Sequence, residues 1–140
     1  MVGKKFLAFD FGAESGRAIL GTLSETNMKL EEIHRFPNRQ IQVFGHIHWD
    51  ILSLFDELKK GLTQTIKKHG KELTGIGVDT WGVDFGLVGR DDQLLGFPYC
   101  YRDTRTQGIM DEAFKNVPRD ELYAITGIQF MQFNSIFQII

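Results

Sequence analysis

Lys5-Phe6-Leu7-Ala8-Phe9-Asp10-Phe11-Gly12-Ala13-Glu14-Ser15-Gly16-Arg17-Ala18-Ile19-Leu20-Gly21-Thr22 places two short apolar runs on either side of a reversal that holds a carboxylate and a pair of glycines. Both runs are of strand length, and the second ends just before the polar patch at residues 24–27, so two strands joined by a tight loop are predicted. Gly12 and Gly16 can take positive φ and let a ligand oxygen approach the backbone. Ser15 adds a hydroxyl, and successive amides in such a turn form a concavity suited to anions. Asp10, at the end of the first run, would hold a cation against that charge. The loop is not a Walker loop, because no Gly-Lys-Ser/Thr follows, and it is not a dinucleotide fingerprint, because the next segment reads as strand and not helix. A phosphate cradle and a plain hairpin with a solvated Asp10 are equally open on the loop alone.

Outward from this hairpin, residues 30–36 predict a third strand closed by Pro37-Asn38, completing an antiparallel meander. Residues 40–49 alternate apolar residues with Gln and His around Gly45 and predict a small hairpin. His46 and His48 share one face of that hairpin without an evident third ligand, which favours solvated rim residues over a metal site. Asp50 is a suitable N-cap for a helix from Ile51 to His69, with Leu54, Phe55, Leu58, Leu62 and Ile66 as its core stripe and Gly70 as its stop. Residues 73–79 predict a buried strand delivering Asp79 at its C-terminal end, and residues 83–88 with 94–97 predict a further strand pair around a polar turn. Helical segments follow near residues 107–114 and 119–124, and residues 134–140 read as the first turns of another helix. A meander, a helix and a parallel crossover strand make an α/β domain with a mixed sheet and flanking helices, incomplete at its C-terminus.

With 140 residues and 42% hydrophobic content, the chain can bury one sizeable core, and no linker or repeat suggests a domain boundary. A net charge of -2 with dispersed Lys and Arg speaks against a nucleic-acid partner. The lone cysteine, Cys100, allows no internal disulfide, and the N-terminus lacks a secretory h-region, so a cytoplasmic location is expected. No run approaches the roughly 20 apolar residues of a membrane span, so no membrane partner is expected.

Ligands of open α/β sheets collect outside the carboxyl ends of strands, where this chain sets Asp10 and the run Asp79-Thr80-Trp81-Gly82. Trp81 offers an apolar face for the C–H side of a sugar and an indole donor, and Gly82 leaves room at the backbone; a core tryptophan is the competing reading. Asp79 or Asp84 could accept hydroxyl bonds. Tyr101-Arg102-Asp103-Thr104-Arg105 suits hydroxyl or phosphate recognition, or else an Arg102 to Asp103 surface pair.

Together, residues 9–17, 33–36, Gly77-Val78-Asp79-Thr80-Trp81-Gly82-Val83-Asp84-Phe85, 101–106 and 126–130 resemble the N-terminal part of the FGGY family of sugar kinases over essentially the whole chain. The Asp-Thr-Trp-Gly-Val-Asp-Phe run is similar to the branch of that family acting on L-rhamnulose. The resemblance implies an actin-like, ribonuclease-H-like domain, with ATP as donor, Mg2+ as counter-ion and the 1-hydroxyl of L-rhamnulose as acceptor. It implies that Ala13, Glu14, Ser15, Gly16 and Arg17 bind the ATP phosphates, that Gly82, beside Trp81, contacts the sugar, and that Asp10 lies near the metal; Asp79 joins the expected sugar contacts from its strand-end position. It also implies that residues 1–140 are a partial N-terminal domain whose catalytic base lies beyond residue 140, leaving the fragment inactive alone. Glu14 departs from the family pattern of a small or hydroxyl residue, and a carboxylate beside phosphates is repulsive unless it turns to solvent or cation. The rival readings are a related ketose kinase acting on L-fuculose, a non-catalytic sugar or nucleotide binding module, and a metal-dependent nuclease using Asp10, Asp79 and Asp84.

Overall fold

The computed structural model describes residues 3–140, and its Cα positions fall into two compact units. One unit holds the chain up to Arg39 together with Asp50–Gly82; the other holds Gln40–Trp49 and Val83–Ile140.

The first unit is a four-stranded mixed sheet with one helix on it. Strands β1 (Lys4–Phe11), β2 (Ser15–Leu23) and β3 (Met28–Pro37) form the antiparallel meander. Its first pairing runs from Lys4↔Leu23 to Phe11↔Gly16, and the β2/β3 register shifts between Ala18 and Ile19. Helix α1 (Ile51–His69) then returns the chain, so that β6 (Gly75–Thr80) lies parallel to β1 and the strand order is β3-β2-β1-β6. The helix starts where Asp50 Oδ1 accepts the Ser53 amide at 3.1 Å and stops at Gly70, whose amide returns to Ile66 O with φ 82°. Period 2 in β1 turns Leu7, Phe9 and Phe11 to one face, where they bury with Ala18, Phe36 and Leu54, and each large side chain contributes about 1.5–3 kcal/mol. Gly61 brings the helix backbone down onto that face, since a Cβ there would lie 2.9 Å from both Ala18 Cβ and the Phe9 ring.

Two expectations about this unit are corrected. Phe55 points outward, 58% exposed, and the helix instead buries Leu54, Gly61 and Thr65, with Leu58 and Leu62 packed beside them. Strand β6 is exposed rather than buried, because it is the outer strand of the sheet and α1 packs over β2 and β3.

In the second unit, β4 (Gln40–Val43) and β5 (His46–Trp49) form the expected hairpin, turned by Phe44 and Gly45 with φ of 50° and 85°. That pair of positive values matches the twist of the flanking strands. The strands expected at 83–88 and 94–97 are absent, leaving an isolated Val88↔Leu94 bridge and a turn in which the Gly89 amide reaches Gln93 O. Glycines at 86, 89 and 96 and the positive φ of Asp92 break the run, so its apolar residues Leu87, Val88 and Leu95 stay exposed. After a 3-10 turn at Thr104–Thr106, helices α2 (Ile109–Asn116), α3 (Arg119–Thr126) and α4 (Ser135–Ile139) bury Ala113, Leu122 and Phe137 against one another.

Candidate functional site

In the first unit, cross-strand register aligns three of the expected site residues. Arg17 on β2 is the partner of Asp10 on β1, and Asp10 is the parallel partner of Asp79 on β6. Because Phe9 and Phe11 face α1, this row lies on the opposite, uncovered face, next to the carboxyl ends of β1 and β6. Arg17 Nε donates to Asp10 Oδ2 at 2.9 Å with both side chains about two-fifths exposed, so the pair neutralises charge locally and adds at most about 1 kcal/mol. The row continues to Arg35 on β3, whose hydrogen bond from the guanidinium to Glu32 raises the Arg35 pKa and lowers that of Glu32.

The reversal between β1 and β2 is only Gly12, Ala13 and Glu14 long. It closes by the Gly12 amide donating to Ser15 O at 3.0 Å. Asn38, buried beside it, donates its backbone amide to Glu14 O and its side-chain Nδ2 to Gly12 O, both at 2.9 Å. Positive φ is not what the glycines supply: the glycines with φ above zero are Gly45, Gly70, Gly96, Gly108 and Gly127. Gly12 is needed because a Cβ would lie 2.8 Å from Ser15 O, and Gly16 because a Cβ would enter the ring of Phe36. Space under the turn, not backbone handedness, selects them. Glu14 is exposed, while Ala13 and Ser15 are half-buried.

The second bend adjoins the first. The Trp81 amide donates to Phe11 O at 3.2 Å, extending the β1/β6 ladder to the residue before Gly12. The Trp81 side chain packs against the apolar cluster of Leu7, Phe9 and Phe11, so the core role weighed against ligand contact is part of what it does. Asp79 and Gly82 are exposed, and a Cβ on Gly82 would meet nothing within 4 Å.

The second unit commits its polar residues to internal bonds. Asp84, half-buried, accepts from Trp49 Nε1, the Tyr101 amide and Gln138 Nε2 and so serves as a structural junction of this unit. Asp103 is 3% exposed and accepts the amides of Ile47 and Arg105 at 2.8 and 2.9 Å, with His46 Nδ1 at 3.2 Å. Burial alone would raise its pKa, but these donors outweigh burial and lower it. Arg105 stacks on Tyr99 and bonds Gln138, and His48 is buried with Nδ1 3.2 Å from Phe97 O, so His48 is not a solvated rim residue. Among the described residues no group of three or more His, Cys, Asp or Glu is placed to hold a metal ion. Sequence reasoning missed Asn38; its only local signal is an Asn at a strand end after Pro37, a residue type that bonds turn backbone.

The family description "FGGY family of carbohydrate kinases, N-terminal domain" matches residues 5–140. The rhamnulokinase of Bacteroides thetaiotaomicron is 48% identical over 136 residues, covering 97% of this chain and 28% of its own. That of Oceanobacillus iheyensis is 41% identical over 133 residues, with 95% and 28% covered. The chain therefore spans little more than a quarter of the length of these relatives. Gluconate kinase from Lactobacillus acidophilus superposes with a TM-score of 0.81 at 17% identity, over 98% of this chain and 27% of that one. Plasmodium falciparum glycerol kinase with ADP gives 0.76 at 17% identity, over 98% and 28%. These likenesses carry the fold: the mixed-sheet, actin-like and ribonuclease-H-like architecture of carbohydrate kinases.

Proposed function

Since the chain belongs to the FGGY family of carbohydrate kinases and matches its N-terminal domain, we propose that residues 1–140 form one wall of the cleft of an ATP-dependent kinase for the 1-hydroxyl of L-rhamnulose. The observation that carries this reading is the adjacency of the two bends: the Gly12 turn and the Trp81-Gly82 turn leave neighbouring strands at the same end of the sheet, joined by the Trp81 to Phe11 bond. In this reading the turn at residues 13–17 receives the ATP phosphates, with Ser15 as a hydroxyl donor and Arg17 as the cation. Trp81 and Gly82 present an apolar edge and an open backbone to the sugar, and Asp79 accepts from a hydroxyl or faces the metal. Glu14 is exposed, so water and salt screen its repulsion from phosphate.

Asp10 and Asp79, neighbours in register on the uncovered face, fit an oxygen-seeking divalent cation that completes its shell with phosphate and water. Magnesium, when bound, supplies charge neutralisation on the phosphoryl oxygens. The Arg17 to Asp10 pair keeps both side chains extended along the row, so each is oriented before a ligand arrives. By the family likeness, the base for the attacking hydroxyl is assigned to the part of the enzyme that residues 1–140 do not cover, and the 140-residue chain by itself is assigned no turnover. The cysteine usage and the sugar-breakdown role suit a cytoplasmic enzyme.

The test is phosphoryl transfer by the protein from the complete coding sequence, with ATP and magnesium, against L-rhamnulose, L-fuculose, D-xylulose and glycerol. The highest kcat/KM is expected for L-rhamnulose. A preference for L-fuculose would move the protein to the neighbouring specificity, and ATP turnover indifferent to every sugar would overturn the reading.

A further inference from the structure

Asn38 touches the β1/β2 turn at two points, and both of its bonds end on carbonyl oxygens: Nδ2 on Gly12 O and the backbone amide on Glu14 O. A trans peptide sets its N–H opposite its C=O. Anchoring Gly12 O therefore points the Ala13 N–H away from Asn38, and anchoring Glu14 O does the same for the Ser15 N–H. A third carbonyl, Ser15 O, is held by the Gly12 amide. Asn38 thus draws two of the turn's carbonyls toward itself, while the Gly12 amide is spent on Ser15 O across the hairpin, and the Ala13 and Ser15 N–H groups are left directed away from Asn38 as donors for an anion. From this geometry we propose that Asn38 is a positioning residue for the nucleotide phosphates, fixing the direction of the Ala13 and Ser15 amides without touching the ligand itself. The inference rests on the phosphate-binding reading of residues 13–17 given above.

A second feature separates this role from simple packing. Asn38 is 6% exposed and its Oδ1 is buried without a hydrogen-bond partner. An isosteric leucine would fill the same space without burying an orphan acceptor, so it is the amide donor that the site uses. The two residues are 26 apart in sequence, so the end of β3, held in register by Ser15↔Pro37, carries the brace to the turn.

The experiment uses the complete protein and the near-isosteric Asn38→Asp, which removes the donor and sets an oxygen against Gly12 O. Magnesium ADP binding by calorimetry, KM for ATP, KM for L-rhamnulose and Tm are measured together. Nucleotide affinity is expected to fall about tenfold or more, with KM for ATP rising in step and KM for the sugar within about twofold, the size of a lost charge-oriented hydrogen bond. Asn38→Ala, which brings no charge, is carried alongside and decides the matter should Asn38→Asp not fold. A lowered Tm with unchanged nucleotide affinity would overturn the proposal, leaving Asn38 a brace of the hairpin only. Ser15→Ala and Arg17→Ala serve as the reference: if neither alters ADP affinity, the phosphate reading of the turn is what fails, whereas a loss with them but not with Asn38→Asp or Asn38→Ala fails the Asn38 assignment alone.

Discussion

A methyl group on Gly16 would sit 2.2 Å from the Phe36 ring, a distance no side chain adopts, and Phe36 is itself 3% exposed with little freedom to retreat. Gly16→Ala should therefore cost about 1–3 kcal/mol, the range for overpacking a tight core. Phe36→Leu in the same chain should return at least half of that loss, because the two residues share one space. Urea denaturation of the single and double variants measures both, and an unchanged midpoint in Gly16→Ala would contradict the crowding. Asp103 makes a pH prediction. Its folded pKa lies below the unfolded value of about 3.9, so its stabilisation is present above that value and is lost as pH falls through the folded pKa. Asp103→Asn should be less stable than the parent near neutrality, with the gap in Tm shrinking as pH drops below about 4. A gap that stays constant between pH 7 and pH 3 would mean that the charge on Asp103 does not matter.

At the scale of elements, helix α1 shows where propensity and packing disagree. Alanine is favoured over glycine in a helix by about 1 kcal/mol, yet Gly61 faces Ala18 and Phe9 at a distance that excludes a Cβ. Packing should win: Gly61→Ala lowers the Tm, and Gly61→Leu, which must push α1 off the sheet, prevents folding. A raised Tm in Gly61→Ala would mean that α1 can shift outward at no cost. The limits of α1 were legible because Asp50 and Gly70 are strong boundary signals, and β1 to β3 because their apolar residues follow strand periodicity between polar turns. Which helix residues face the core was less legible, since Gly61 and Thr65 bury in a stripe where Phe55 looks more apolar. The chemistry of residues 83–97 misled, since short apolar runs read as strands whether or not another strand lies alongside to pair with. The strand-end positions of Asp10, Asp79 and Trp81 could be read along the chain, but their register, and the bonds of Asn38 and Asp103 to residues far upstream, exist only once the chain has folded.

At the scale of the whole chain, the sheet is unevenly covered. Ile76 and Val78 are the register partners of Leu7 and Phe9, which are 1% exposed, yet they are themselves 53% and 60% exposed. They continue the core face beyond the edge of α1, and the outer side of β6 has no strand beside it among the described residues. Parallel strands are ordinarily covered on both faces, and an open apolar edge is a template for pairing with another chain. A net charge of -2 gives little repulsion to oppose that. The 140-residue chain produced alone should therefore self-associate as its concentration rises, and Ile76→Lys with Val78→Lys should shift it toward monomer in sedimentation velocity. In the protein from the complete coding sequence the same pair should act in the opposite sense, lowering Tm by several degrees if further structure packs on β6, because two ammonium groups would then lose their water. Monomeric behaviour of the unsubstituted chain at every concentration would show that this edge is inert, and an unchanged Tm in the longer protein would show that β6 stays uncovered there as well.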